Sequence, residues 1–155
     1  MALQVGDKAP GFSLSSSTGR EISLAGLLGK KVVLYFYPKD DTPGCTVEAC
    51  GFRDINQDIA DAGAVVLGVS ADGLESHDSF IRKFDLNFPL LADEEKTVAN
   101  AYGAWGEKEV RGKTVIGMIR KTFLIDEAGQ LQKIWPMVTP DGHAEEVLAA
   151  IKGDE

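Results

Sequence analysis

Reactive side chains are scarce in this chain. Among 155 residues it has two cysteines and two histidines. Two cysteines are too few for a disulfide scaffold. His77 and His143 lie far apart with no ligand spacing around them, which argues against a zinc site; no metal or cofactor is expected. Positive charge is also in short supply: 16 Lys and Arg face 24 Asp and Glu, for a net charge of −8. That balance argues against nucleic acid or an anionic membrane as a main partner. No apolar run approaches membrane-spanning length, and Met1–Lys8 lacks the apolar core of a signal segment, so a cytoplasmic protein is expected. There is no repeat, low-complexity tract or linker, so residues 1–155 are expected to form a single domain. With 44% apolar and 26% charged residues the composition is that of an ordinary globular protein, not a disordered one.

The hydrophobic pattern is that of an α/β protein. Lys8 to Leu14 reads as an entry loop and short strand, and Ser17-Thr18-Gly19 as a turn into a second short strand, Glu21 to Leu24. Val32 to Tyr37 has no polar face and is expected to be a central strand covered on both sides. A helix is expected from about Thr46 to Ala62, with Val47, Cys50, Ile55 and Ile59 on its apolar face and Gly63 ending it. A buried strand, Ala64 to Ser70, follows, then a helix from Ser76 to Phe84, an edge-like strand from Phe88 to Ala92 and a short helix from Thr97 to Tyr102. Gly103 to Lys113 is polar and reads as a loop. Val115–Asp126 and Gln130–Val138 read as a hairpin around Glu127-Ala128-Gly129, and Gly142 to Lys152 as a closing helix. This order implies a central mixed β-sheet, parallel in its first half and antiparallel in its second, flanked by helices on both faces.

Both cysteines fall in one segment, Tyr37-Pro-Lys-Asp-Asp-Thr-Pro-Gly-Cys45-Thr-Val-Glu-Ala-Cys50. It joins the central strand to the first long helix. A thiol at a helix start meets unpaired backbone N–H groups and the positive end of the helix dipole, and both favour thiolate over thiol. Cys45, after Thr-Pro-Gly, therefore reads as a reactive sulfur. Cys50 reads either as a second redox thiol or as a small buried residue on the core face. Positions five apart on an ideal helix are separated by roughly 7.5 Å along the axis and point about 140° apart. Disulfides need closer, converging side chains, so the two sulfurs can join only if the first turn or two unwinds.

At these residues the chain resembles the peroxiredoxins. Pro38-x-x-x-Thr42-x-x-Cys45 matches all three fixed residues of that family's peroxidatic signature. The longer string from Tyr37 to Asp54 is similar to the bacterioferritin comigratory protein or peroxiredoxin Q branch. So are Tyr102–Lys108, Gly117–Asp126 and Gly142–Leu148, and the likeness runs in order along nearly the whole chain. The resemblance implies a thioredoxin-like fold and reduction of hydrogen peroxide and organic hydroperoxides at the expense of thioredoxin or a similar dithiol donor. It implies Cys45 as the peroxidatic nucleophile and Cys50 as the resolving cysteine of an atypical two-cysteine mechanism, in a monomer. Pro38 would shield the sulfur, Thr42 would address the peroxide oxygens and Arg120 would supply a guanidinium. The absence of a Tyr-Phe C-terminal helix and of a Gly-Gly-Leu-Gly loop implies resistance to over-oxidation.

Without the resemblance, Arg120 beside Lys121 reads as a solvated strand residue, and Arg111 is a rival guanidinium in a polar stretch. Glu48 in the first helical turn reads as a complement to the helix dipole, and Pro38 and Thr42 as turn residues. Trp105, Phe80 and Phe84 read as core or as the mouth of a site, and His143 as a surface residue. Three functions fit the residues: a thiol peroxidase, a thiol–disulfide oxidoreductase with Thr42 in place of the usual first cysteine, and a non-enzymatic redox sensor that uses the melted helix start.

Overall fold

The all-apolar run becomes the middle of the sheet. The computed structural model describes residues 3–153; Met1, Ala2, Asp154 and Glu155, on which part of the reading of the two ends rests, lie outside the described residues. Two short strands, β1 (Ser13–Ser15) and β2 (Glu21–Ser23), pair antiparallel and precede β3 (Lys31–Phe36). Then come α1 (Pro43–Asp61), β4 (Ala64–Ser70), α2 (Leu74–Phe84), β5 (Leu90–Ala92) and α3 (Thr97–Ala101). The chain continues with β6 (Trp105–Val110), β7 (Lys113–Met118), β8 (Lys121–Ile125), β9 (Leu131–Trp135) and α4 (His143–Lys152). The main sheet has the order β5-β4-β3-β8-β9. β3, β4 and β5 run parallel, and β8 and β9 add antiparallel beyond β3.

Side chains alternate across this sheet as the strand period requires. Val33, Tyr35 and Tyr37 enter one core with Phe52 and Ile59 of α1, Phe80 of α2 and Val147 of α4. Val32, Leu34 and Phe36 enter the other with Val98 and Ala99 of α3, Tyr102 and Phe123. A central strand buried on both faces has no room for a polar residue, which explains its continuous apolar run.

Three local expectations need correction. The stretch expected to be a loop, Gly103 to Lys113, contains β6, which pairs with β7 in a separate two-stranded hairpin. Its polar residues are compatible with a strand because most of the hairpin is exposed. Arg111 and Gly112 both have positive φ, which a tight two-residue turn demands. Second, the strand expected from Val115 to Asp126 is broken at Ile119–Arg120. β7 before the break pairs with β6, and β8 after it with β3 and β9. Third, α1 begins at Pro43, whose fixed φ suits the first helical position, and its buried face is Cys45, Glu48, Ala49, Phe52 and Ile59. Val47, expected on that face, is exposed.

Gly68 on β4 lies under the Tyr35 ring. A Cβ there would sit 2.8 Å from Leu90 Cδ2 and 2.9 Å from both Cζ and the hydroxyl oxygen of Tyr35. Over-packing of this kind costs about 1–3 kcal/mol. Gly68→Ala is therefore expected to lower the unfolding free energy by that amount, read as a fall in the urea midpoint at unchanged slope. An unshifted midpoint would show that Tyr35 has room to move.

Candidate active site

The geometry of the cysteine segment follows from what flanks it. β3 ends at Phe36, and Tyr37 is still buried in the core. The chain then crosses Pro38 to Thr42 and turns into α1. Thr42 occupies the N-cap position, but its side chain makes no capping bond. Its hydroxyl instead donates to the Lys39 carbonyl at 2.8 Å, closing the loop on itself. Pro43 has no N–H to satisfy, so the first backbone donors of the helix are those of Gly44 and Cys45. Pro38 and Thr42 are both half-buried.

Cys45 is 1% exposed. The Arg120 guanidinium reaches it across the sheet end, with Nη2 donating to Sγ at 3.3 Å. Nη1 of the same group donates to Glu48 Oε1 at 2.7 Å. Arg120 thus does not follow the solvated-strand reading: it sits at the β7–β8 break, mostly buried and turned toward α1. Its charged form is favoured: burial opposes it, but Cys45 and Glu48 outweigh that cost. Gly44 permits the approach, since a Cβ there would lie 3.1 Å from Arg120 Nη2 and 3.5 Å from Pro140 Cγ. Arg111 lies instead in the exposed β6–β7 turn.

Glu48 departs from its expected role. It is 1% exposed and paired with Arg120, not a solvated partner of the helix dipole. Burial pushes its carboxyl up to about 7, against the opposing pull of Arg120. Its Oε2 and the Tyr35 hydroxyl are buried without a hydrogen-bond partner among the described residues. The available signal was spacing: residues three apart on a helix share a face, so Glu48 follows Cys45 inward. Lys108 of β6 approaches from the hairpin, donating to the Met118 carbonyl at 2.7 Å. Partial burial, then the nearby Arg120 charge, lower its pKa.

His143, expected at the surface, is 2% exposed. Its Nε2 meets Thr122 Oγ1 at 2.8 Å and its Nδ1 meets Glu146 Oε1 at 2.9 Å. Its ring packs edge-on against Phe52 and Trp135, and burial lowers its pKa. One histidine at a helix start gives no sign in sequence that an adjacent strand will cover it. Phe80 is buried and Phe84 packs against it, 5.5 Å between ring centroids, so both belong to the core, whereas Trp105 is only half-buried.

Both cysteines are free thiols, Cys45 buried and Cys50 half-buried, on an intact α1. The structure therefore brings together Cys45, Glu48 and Arg120, with Thr42 at the N-cap position of α1, Pro38 in the loop before it and Cys50 further along the same helix. A sulfur nucleophile beside helix N–H donors and a fixed cation is suited to attack on an electrophile that releases an anion.

The AhpC/TSA family model matches residues 5–134. A bcp relative from Coxiella burnetii is 51% identical over 151 residues, covering 97% of this chain and all of the relative. Peroxiredoxin Bcp of Bacillus subtilis is 45% identical over 152 residues, covering 98% of this chain and 97% of its own. Among solved structures, peroxiredoxin Q of Xanthomonas campestris superposes with a TM-score of 0.86 at 42% identity, covering 92% of this chain and 90% of the other.

The buried carboxyl gives this site a pH signature. Unfolded, Glu48 titrates near 4.5; folded, it holds its proton up to about 7. Between these values the folded state binds more protons, so stability falls as pH rises through the window. Glu48→Gln stays neutral throughout and is expected to remove that fall. The unfolding free energies of the two proteins should diverge by up to about 3 kcal/mol from the acid to the alkaline side of the window. Parallel profiles would show that burial does not hold the proton.

Proposed function

This chain belongs to the AhpC/TSA family as a peroxiredoxin of the Bcp/PrxQ type, and from that premise we propose that it reduces hydroperoxides through Cys45 and an intramolecular Cys45–Cys50 disulfide. It is a thiol-dependent peroxidase, and the fold is the thioredoxin-like one of its relatives. The observation that carries the assignment of roles is the Arg120 guanidinium, 3.3 Å from the Cys45 sulfur at the start of α1.

In the proposed cycle the Cys45 thiolate attacks the near oxygen of ROOH. The O–O bond breaks, the electron pair leaves on the far oxygen, and a proton from solvent completes ROH. Arg120 and the Gly44 and Cys45 N–H groups address the developing charge, and the Thr42 hydroxyl, its hydrogen held by the Lys39 carbonyl, offers an acceptor to the peroxide's own hydrogen. Arg suits this place because its fixed fork addresses two partners at once and keeps its charge. Pro38 limits access of water to the sulfur. Cys45 is left as a sulfenic acid. Cys50 condenses with it, water leaves, and a disulfide joins the pair. Thioredoxin or a similar dithiol then exchanges with that disulfide, becoming oxidised as both thiols return.

The disulfide step needs the opening turns of α1 to unwind. Val47 is exposed and Thr42 provides no side-chain cap, so those turns are held by the Glu48–Arg120 pair and the buried Cys45 and Ala49. Phe52, fully buried and stacked on Tyr35 at 4.8 Å between centroids, marks where unwinding would stop. Nucleophile, resolving sulfur and guanidinium come from one chain, so the cycle is proposed to run in a monomer. One solved relative, the bacterioferritin comigratory protein of Xanthomonas campestris, is described by its alkyl peroxide reduction activity. Alkyl hydroperoxides are accordingly proposed as substrates beside hydrogen peroxide.

The test is peroxide consumption driven by NADPH, thioredoxin reductase and thioredoxin. Cys45→Ser is expected to abolish turnover. Cys50→Ser is expected to keep one fast reaction with peroxide and lose recycling by thioredoxin; unchanged cycling would remove Cys50 from the mechanism. Arg120→Ala is expected to slow peroxide attack by about 10²–10³-fold, as loss of a charge-stabilising donor does elsewhere. A variant reacting at wild-type speed would discard the guanidinium's role.

A further inference from the structure

Between Pro38 and Thr42 lies a buried polar cluster that the peroxidase cycle above does not use. Asp40 is 6% exposed and His77, on α2, is 0% exposed. Asp40 Oδ1 accepts from the Tyr37 hydroxyl at 2.5 Å. Asp40 Oδ2 accepts from the Ser76 hydroxyl at 2.8 Å and meets His77 Nδ1 at 2.7 Å. The other ring nitrogen, His77 Nε2, meets the Leu91 carbonyl of β5 at 2.8 Å. The Asp40 backbone N–H donates to Asp72 Oδ2 at 2.8 Å, and Asp72 is held in turn by the Ser70 hydroxyl. The loop that carries Pro38 and Thr42 is thus tied at its midpoint to the ends of β3 and β4, to α2 and, through the imidazole, to β5.

The proton count of this cluster is constrained. A carbonyl oxygen only accepts, so His77 Nε2 carries a hydrogen. Asp40 already accepts two hydroxyl hydrogens, the pattern of an ionised carboxylate. The 2.7 Å contact to Nδ1 therefore needs a second ring hydrogen. Without it, two lone pairs would face each other in a dry site, an arrangement that buried polar groups avoid. The cluster is satisfied only when one proton bridges Asp40 and His77.

We propose that His77 and Asp40 are positioning residues for the peroxidatic loop, holding Pro38, Thr42 and Cys45 in register through a proton-bridged contact between α2 and the loop. This inference rests on the peroxidase reading for its kinetic consequence, although the proton bridge stands on geometry alone. His77 acts through the loop and touches neither Cys45 nor Arg120. Losing the bridge frees the loop midpoint to shift, and a displacement of about 1 Å at a reacting group can cost about 10²-fold in rate.

The isostere Asp40→Asn separates the bridge from mere charge. Its amide nitrogen donates one hydrogen to Nδ1 of a neutral imidazole and the other to the Ser76 hydroxyl, which now accepts, while its oxygen still accepts from Tyr37, so every partner is kept. His77→Gln cannot span from Asp40 to Leu91 as the ring does. Stopped-flow measurement of Cys45 oxidation by hydrogen peroxide is expected to show His77→Gln slowed by about 10–100-fold and Asp40→Asn close to wild type. Reduction of the preformed disulfide by thioredoxin should be unchanged in both, a split that general loss of stability would not give. Oxidation of His77→Gln at the wild-type rate, or equal slowing of both variants, would overturn the proposal.

A second readout needs no activity. In nitrogen-15 NMR of the folded Cys45→Ser protein at neutral pH, His77 is expected to show hydrogens at both ring nitrogens, slow to exchange with water. In Asp40→Asn the Nδ1 signal should become that of an unprotonated nitrogen. A His77 ring with one bare nitrogen in the protein that keeps Asp40 would refute the bridge. A wild-type protein unable to reduce peroxide would fail the proposed function and leave this arm intact.

Discussion

One guanidinium organises the active end of this protein. Arg120 donates from Nη2 to the Cys45 sulfur and from Nη1 to the Glu48 carboxylate, so a single planar group ties two residues one helical turn apart. A lone buried carboxylate would be costly, and so would a lone buried guanidinium. Placed together, each compensates the other, and the sulfur takes the remaining face of the fork. The break between β7 and β8, the glycine at position 44 and the burial of α1 all serve this approach.

The same arrangement has a mechanical consequence. In the proposed cycle the two sulfurs join from one helix, so the start of that helix must be lost and recovered. The stabilisation of the first turns of α1 is mostly tertiary, through Cys45, Glu48 and Arg120 at the site and Ala49 in the core. The rest of the helix is anchored by Phe52 and Ile59 in the core between the sheet and α4. In the proposed cycle, oxidation at Cys45 acts on the Arg120 contact that holds the turn closed.

The loop before the helix is held differently. Asp40 reaches away from the sulfur, into a buried set of hydroxyls and an imidazole. In the proposed cycle the site has a face that yields, α1's first turns, and a face that stays, the loop between Pro38 and Thr42. That division follows from which polar groups are fully paired: the Asp40 carboxylate meets a donor at both oxygens, whereas Glu48 leaves Oε2 without a partner among the described residues.

Sequence alone determined the strand–loop–helix unit around Cys45, the two buried parallel strands and the switch to antiparallel pairing after the middle of the chain. These are local patterns: apolar runs of strand length, a helical period and turn residues at the joints. It also pointed to Cys45 and, as one of two readings, Cys50; Pro38, Thr42 and Arg120 entered only through resemblance, because turn residues and the stretch Ile119-Arg120-Lys121 do not show which way a side chain faces. Tertiary structure decided the rest. The β6 strand was hidden because an exposed hairpin needs no apolar alternation. The buried state of Glu48, His77 and His143 was hidden because a polar residue is interred only when a partner from a distant segment meets it. Those partners lie 72, 37 and 21 positions away along the chain, beyond the reach of any periodicity read from a single helix or strand.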